Sequence, residues 1–161
     1  MPELIDYINY YGFDRRAMTD AVDALRAFNR FYTQWAGLLR PSYMGSGLGV
    51  TAARLLYEIG RASTEGILAS DLCVELALDA GYVSRTLRRF ETSGWIARER
   101  GLDARRRPIR LTGAGATFLA RLDERTRADT DARIAHLTPA NREALARMLA
   151  QVRALLDPDA D

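Results

Sequence analysis

The sequence predicts a mainly α-helical chain that carries one short two-stranded hairpin, and three observations lead to that class. From Asp79 to Ser93, the residues Val83, Leu87 and Phe90 recur at i, i+4 and i+7, the spacing of one buried helix stripe. Directly after Gly94 the period becomes that of extended chain: Trp95 and Ile96 open one strand, and Ile109 and Leu111 alternate with Arg110 and Thr112 in its partner. Charge is segregated as well. Between Arg85 and Arg110 nine arginines stand against Glu91, Glu99 and Asp103, a net +6, whereas the rest of the chain holds 14 basic against 18 acidic residues, a net −4. Two short helices leading into an arginine-loaded hairpin read as a winged helix-turn-helix, and the remaining N- and C-terminal helices read as a dimerisation lobe.

With 161 residues, 48% of them apolar, the chain is long enough for one good core and short for two independent ones. The expectation is a single domain over 1–161, in which 48–112 form the DNA-binding lobe and 1–47 with 113–161 the dimerisation lobe. No uninterrupted apolar run is long enough for a membrane span. The start, MPELIDYINYYGFD, lacks the basic and apolar regions of a signal peptide, so a cytoplasmic protein is expected. One cysteine excludes an internal disulfide, in keeping with a reducing compartment. Lysine is absent. Biased coding accounts for this as well as function does, but every cationic contact then uses a planar fork able to grip phosphate or guanine bidentately.

In chain order, residues 3–13 hold Leu4, Ile5, Ile8 and Phe13 among three tyrosines and are too apolar for a solvated tail. A long first helix is predicted from Asp14 to Leu39, with Met18, Val22, Leu25, Tyr32 and Leu39 on its stripe and Arg40-Pro41 at its end. PSYMGSGLGV is a loop, after which Thr51 caps a helix bearing Leu55, Leu56 and Ile59. The first helix of the pair runs from Ser70 to Leu78 with Leu72 and Leu76 inward. The second is capped by Asp79 and stopped at Gly94, leaving Ser84, Arg85, Arg88 and Arg89 off the buried stripe. GLDARRRP is a polar turn between the strands. Thr112 caps a mostly charged helix, and Thr138-Pro139 opens a last one whose stripe is Leu145, Met148, Leu149, Val152, Leu155 and Leu156.

At this point the residues resemble the MarR-type transcriptional regulators. The wing pattern D-x-R-x-x-x-[IV]-x-L-T-x-x-G stands here as Asp103, Arg105, Ile109, Leu111, Thr112 and Gly115. Val50-Thr51, Ala53-Arg54 and Leu56-Tyr57 look like the opening of the family's second helix, and Gly81 to Arg85 with Leu87-Arg88-Arg89 resembles its recognition helix. The motifs cover the chain from about residue 20 onward. Two departures stand out: Leu68 occupies the place of a capping Thr, with Ser70 as a late alternative cap, and Val50 replaces Leu. A narrower resemblance, Arg26-x-Phe28-Asn29-Arg30-Phe31-Tyr32-Thr33, is to regulators whose MarR half is fused to a GNAT acetyltransferase.

Each sharp reading has a plain competitor. Surface arginines are usually solvated charge, but Arg105, Arg106 and Arg107 are consecutive at a hairpin tip, where mutual repulsion offers the fold nothing and a polyanionic partner explains them. Asp103 is read as shaping that turn. Cys73 is read as a buried, inert thiol. His136 is the only histidine, so neither a metal site nor a Ser-His catalytic set has adequate ligands, and GSGLG at 45–49 lacks the strand-to-helix context of a phosphate loop. Tyr32, Trp35, Tyr43, Met44 and Tyr57 suit either plain core or a small-molecule pocket at the lobe junction, where the resemblance places inducers.

The resulting expectation is a non-enzymatic, sequence-specific transcriptional regulator without cofactor. It acts as a homodimeric repressor on a pseudo-palindromic operator in double-stranded DNA and is relieved by a small-molecule effector. The DNA-contacting set is Ser70, Tyr82, Ser84, Arg85, Arg88, Arg89, Arg105, Arg106 and Arg107; the dimer set is Ile5, Ile8, Leu145, Met148, Leu149, Val152, Leu155 and Leu156. The alternative is the regulatory half of a bifunctional MarR/GNAT N-acetyltransferase.

Overall fold

The computed structural model describes residues 20–98 and 107–157. They form α1 (Ala21–Trp35), a 3-10 turn (Tyr43–Gly45), α2 (Val50–Arg61), α3 (Ala69–Glu75), α4 (Ala80–Thr92), β1 (Ile96–Arg98), β2 (Ile109–Leu111), α5 (Gly113–Arg133) and α6 (Pro139–Leu156). The fold is mainly helical with one antiparallel two-stranded sheet, in the register Ile96 to Leu111, Ala97 to Arg110 and Arg98 to Ile109. The chain divides into two compact units, Met1–Leu119 and Ala120–Asp161.

The core of the first unit is built by the stripes the periodicity marks. Leu48, Leu55, Leu56 and Ile59 from the α2 region, Leu72 from α3, Val83, Leu87 and Phe90 from α4, and Ile96 and Ile109 from the sheet are all buried. Ile67 adds a single bridge to the sheet, exchanging two backbone hydrogen bonds with Ile109 at 3.1 and 2.8 Å. Trp95 stacks on Phe118 of α5 at 3.9 Å between ring centroids and sits 5.8 Å from Phe90, so the base of the hairpin is fixed to the helices on both sides of it.

Several boundaries differ from the sequence reading, each for a local reason. Within the described residues α1 ends at Trp35 rather than Leu39, because Ala36 closes the last turn and Gly37 takes a φ of +67° that a helix cannot continue. Its start is Asp20, whose carboxylate accepts from the Val22 N–H; the expected turn from Asp14 to Thr19 lies outside the described residues. Gly49, not Thr51, is the cap position of α2, and no side chain caps it. Ser70 does not cap α3 either: Leu68 holds that position, and the Ser70 hydroxyl donates to the Asp71 carboxylate instead. That helix stops at Glu75, where Ala77 adopts a φ of +50° and turns the chain toward α4. β1 begins at Ile96, since the Trp95 N–H is still tied to the Phe90 carbonyl at the end of α4. Cys73 is half-buried rather than enclosed.

In the second unit, Thr138 caps α6 through its hydroxyl to the Asn141 N–H, with Pro139 at the first helical position as the sequence indicates. An Arg142 to Asp131 ion pair at 2.6 Å ties α6 back to the end of α5. Along α6, Met148, Leu149, Val152, Leu155 and Leu156 are exposed. Among the described residues, no helix is long and apolar enough to cross a membrane, and no group of three or more His, Cys, Asp or Glu side chains could hold a metal ion.

Candidate nucleic-acid interface

α4 is the best-defined element of the candidate site. Asp79 opens it: its carboxylate accepts from the Tyr82 N–H at 2.9 Å, satisfying one of the donors left free at a helix start. Gly94 closes it with a φ of +71°, and the Ser93 and Gly94 N–H groups return to the Arg89 and Glu91 carbonyls. Between these stops Val83, Thr86, Leu87 and Phe90 are buried while Ser84, Arg85, Arg88 and Arg89 are exposed. One helix therefore carries a packed face and an outward face rich in cationic forks, and Tyr82 is half-buried at its flank.

The exposed arginines do not share one setting. The Arg85 guanidinium lies over Gly81, where a Cβ would come 3.2 Å from its Nη1. The Arg89 Nη2 donates to the Gly47 carbonyl at 3.0 Å, across 42 residues of sequence. The spacing that put Arg89 among the DNA-facing residues gave no hint of that bond, because it depends on where an irregular loop is placed. Ser70 is exposed at the start of α3.

The base of the hairpin is tied to α4 and α5. The Thr112 hydroxyl donates to the Gly94 carbonyl at 2.6 Å and accepts from the Gly115 N–H at 3.1 Å, and Arg98 pairs with Glu91 at 2.9 Å. Gly115 is the last residue of the wing motif, and its reason is steric: a Cβ there would run into the backbone carbonyl of Trp95. Arg107 is exposed at the start of the returning strand. Asp103, Arg105 and Arg106 lie outside the described residues, as do Ile5 and Ile8.

The aromatic residues offered for a pocket occupy different settings. Tyr32 and Trp35 belong to a ladder on α1, where Tyr32 is 5.7 Å from Phe28 and 5.9 Å from Trp35. Tyr43 and Met44 form the 3-10 turn, with Met44 at a φ of 50°. Tyr57 is flanked by Arg54 and Arg61, whose guanidinium carbons stand 5.5 and 5.9 Å from its ring centroid. Beneath them Glu58 is buried and pairs with both arginines. Glu58 was not singled out in the sequence; its spacing of four from Arg54 and three to Arg61 was the available signal. An open cavity of about 310 Å³ lies where α2 begins, lined by Val50, Thr51, Arg54, Leu76 and Leu78.

Residues 46–107 match the MarR family model. No curated protein sequence matches the chain. Among solved structures, a MarR-family transcriptional regulator from Silicibacter pomeroyi is similar at 26% identity and a TM-score of 0.58, covering 81% of this chain and 88% of its own. Wild-type MarR from E. coli in its apo form is similar in fold at 21% identity and a TM-score of 0.64, covering 84% and 98%. A MarR-family protein of Mycobacterium tuberculosis, solved in complex with DNA, is similar at 20% identity and a TM-score of 0.60, covering 77% and 95%. Residues 46–107 thus match the MarR family, and the described residues have the winged helix-turn-helix fold of the MarR-type transcriptional regulators.

Proposed function

We propose that the protein is a sequence-specific DNA-binding repressor that works as a cytoplasmic homodimer on a pseudo-palindromic operator and is released by a small-molecule effector. The observation that carries this reading is the outward face of α4, where Ser84, Arg85 and Arg88 stand exposed opposite buried Val83, Leu87 and Phe90. A short helix capped at both ends and packed on one side presents those side chains rigidly, as major-groove readout requires. The +6 segment against a −4 remainder supports the same polarity, with one face toward a polyanion. Tyr82, Ser84, Arg85 and Arg88 read base edges. Ser70 and the wing arginines, Arg105, Arg106 and Arg107, contact phosphates, with Asp103 shaping the turn. Tyr32, Trp35, Tyr43, Met44 and Tyr57 are the candidates for binding the effector. The fold seen in a DNA complex of a similar protein agrees with this use of the helix-turn-helix.

The test is a titration of Arg85→Ala and Arg88→Ala on a duplex selected by the wild-type protein from a random-sequence pool, beside an unselected duplex. A bidentate base contact discriminates by about 1–3 kcal/mol, so each change should weaken selected DNA roughly 5- to 150-fold while unselected DNA is affected far less. Equal losses on both duplexes would show that neither arginine reads bases.

A further inference from the structure

Arg89, exposed on α4, donates a hydrogen bond out of its own helix to the Gly47 carbonyl, and that acceptor sits in a loop that is itself closed. The Gly47 N–H donates to the Ser42 Oγ at 2.8 Å, the Leu48 N–H to the Ser46 Oγ at 3.1 Å, and the Tyr43 N–H to the Leu48 carbonyl at 2.6 Å. Leu48 is fully buried, and Gly49 immediately opens α2. This small ring of backbone therefore fixes where α2 starts, and the Arg89 guanidinium ties the ring to the recognition helix.

We infer that Arg89 is a positioning residue: it sets the pose of α4 against the 42–49 loop and does not itself hold DNA. Three observations join here. Its Nη2 is already engaged by the Gly47 carbonyl. Arg88 and Arg89 project about 100° apart around the helix, so both cannot face the same groove floor. Arg89 also falls in the last turn of Ala80–Thr92, whereas it is the N-terminal residues of a recognition helix that reach base edges. Gly47 has a φ of +76°, a conformation that a side-chain-bearing residue resists, so the loop side of the clamp can be perturbed on its own.

The inference rests on the DNA-binding reading for its consequence, and its test includes a readout without DNA. The unaltered protein, Arg89→Ala, Gly47→Ala and the double variant are compared by amide hydrogen exchange and by titration on the selected and unselected duplexes over a series of salt concentrations. Losing the hydrogen bond in Arg89→Ala should speed exchange at residues 43–49 by about 2- to 10-fold, and Gly47→Ala, which strains the backbone that presents the acceptor, should speed it at the same residues. Affinity for the selected duplex should fall by a similar factor, with unselected affinity and salt slope unchanged and the double variant no worse than either single one. Unaltered exchange at 43–49, or additive losses in the double variant, would overturn the clamp. So would a salt slope flattened by about 0.9 per protomer with equal losses on both duplexes, since that is the signature of a phosphate contact. If the wild type selects no duplex, the proposed function fails, and exchange alone still decides whether the clamp exists.

Discussion

Two glycines show how one atom's absence serves different ends. A Cβ at Gly115 would meet the Trp95 carbonyl carbon and oxygen, backbone atoms held in place by the base of the wing and by the Trp95–Phe118 stack. Gly115→Ala should therefore destabilise the protein. Overpacking against an unyielding neighbour costs about 1–3 kcal/mol, which outweighs the gain of up to about 1 kcal/mol in helix propensity, and the melting temperature should fall by a few degrees. Gly81→Ala has the opposite sign. Its Cβ would come 3.2 Å from Nη1 of the flexible Arg85 side chain, which can give, and 3.0 Å from the capping Oδ1 of Asp79, so the helix gains about 0.5–1 kcal/mol less whatever the cap bond to the Tyr82 N–H loses in a shift of a few tenths of an ångström. The displaced guanidinium should nevertheless change which bases the helix prefers. Thermal melts of both variants, with a sequence selection on Gly81→Ala, check this; a Gly115→Ala protein melting higher than the wild type would contradict the steric account.

At the scale of elements, the hairpin is anchored at its base by Thr112, Trp95 and the Arg98–Glu91 pair, while the proposed phosphate contacts are further along. Changing Arg105, Arg106 and Arg107 together to Ala should leave the melting temperature nearly unchanged and flatten the salt dependence of DNA binding. If each contacts one phosphate in both subunits, the log–log slope falls by up to about 5, and an unchanged slope would mean that the wing points away from DNA. The anchored parts were also the legible ones. The α4 stripe, the Asp79 and Thr138 caps and the Gly94 stop rest on interactions within a few residues, so spacing alone reveals them. Starts of helices without a side-chain cap were misplaced: Gly49 and Leu68 give no chemical signal, and Thr51 and Ser70 nearby supplied false ones. The Arg89 bond to Gly47 depends on segments far apart in sequence, and no local pattern encodes it; the wing pattern marks Gly115, but its steric reason, the Trp95 carbonyl, lies outside that pattern.

The whole molecule leaves apolar surface that a monomer would expose to water. On α6, Met148, Leu149, Val152, Leu155 and Leu156 are 60, 50, 43, 83 and 60% exposed, and α1 presents Val22, Leu25 and Phe28 at 60, 38 and 39%. Single exposed apolar residues are ordinary, but a continuous helical row of five exceeds the patch that soluble monomers usually tolerate. A second copy of the chain is the cover we propose, with Leu145 and the Ile5 and Ile8 segment adding to the same interface. The geometry of DNA supports the same proposal independently. One recognition helix spans only a few base pairs, whereas a two-fold dimer sets two of them about one helical turn apart, roughly 34–36 Å, and so reads enough sequence to find a site. Leu149→Glu with Val152→Glu places four carboxylates in the proposed two-fold interface and touches nothing on α4. The expected result is a protein that sediments as a monomer or unfolds and no longer binds the selected duplex, because the two half-sites are no longer read together. Sedimentation of the unaltered protein at micromolar concentration is the decisive measurement: a compact particle near 18.0 kDa that still binds the duplex tightly would remove the dimer from the account.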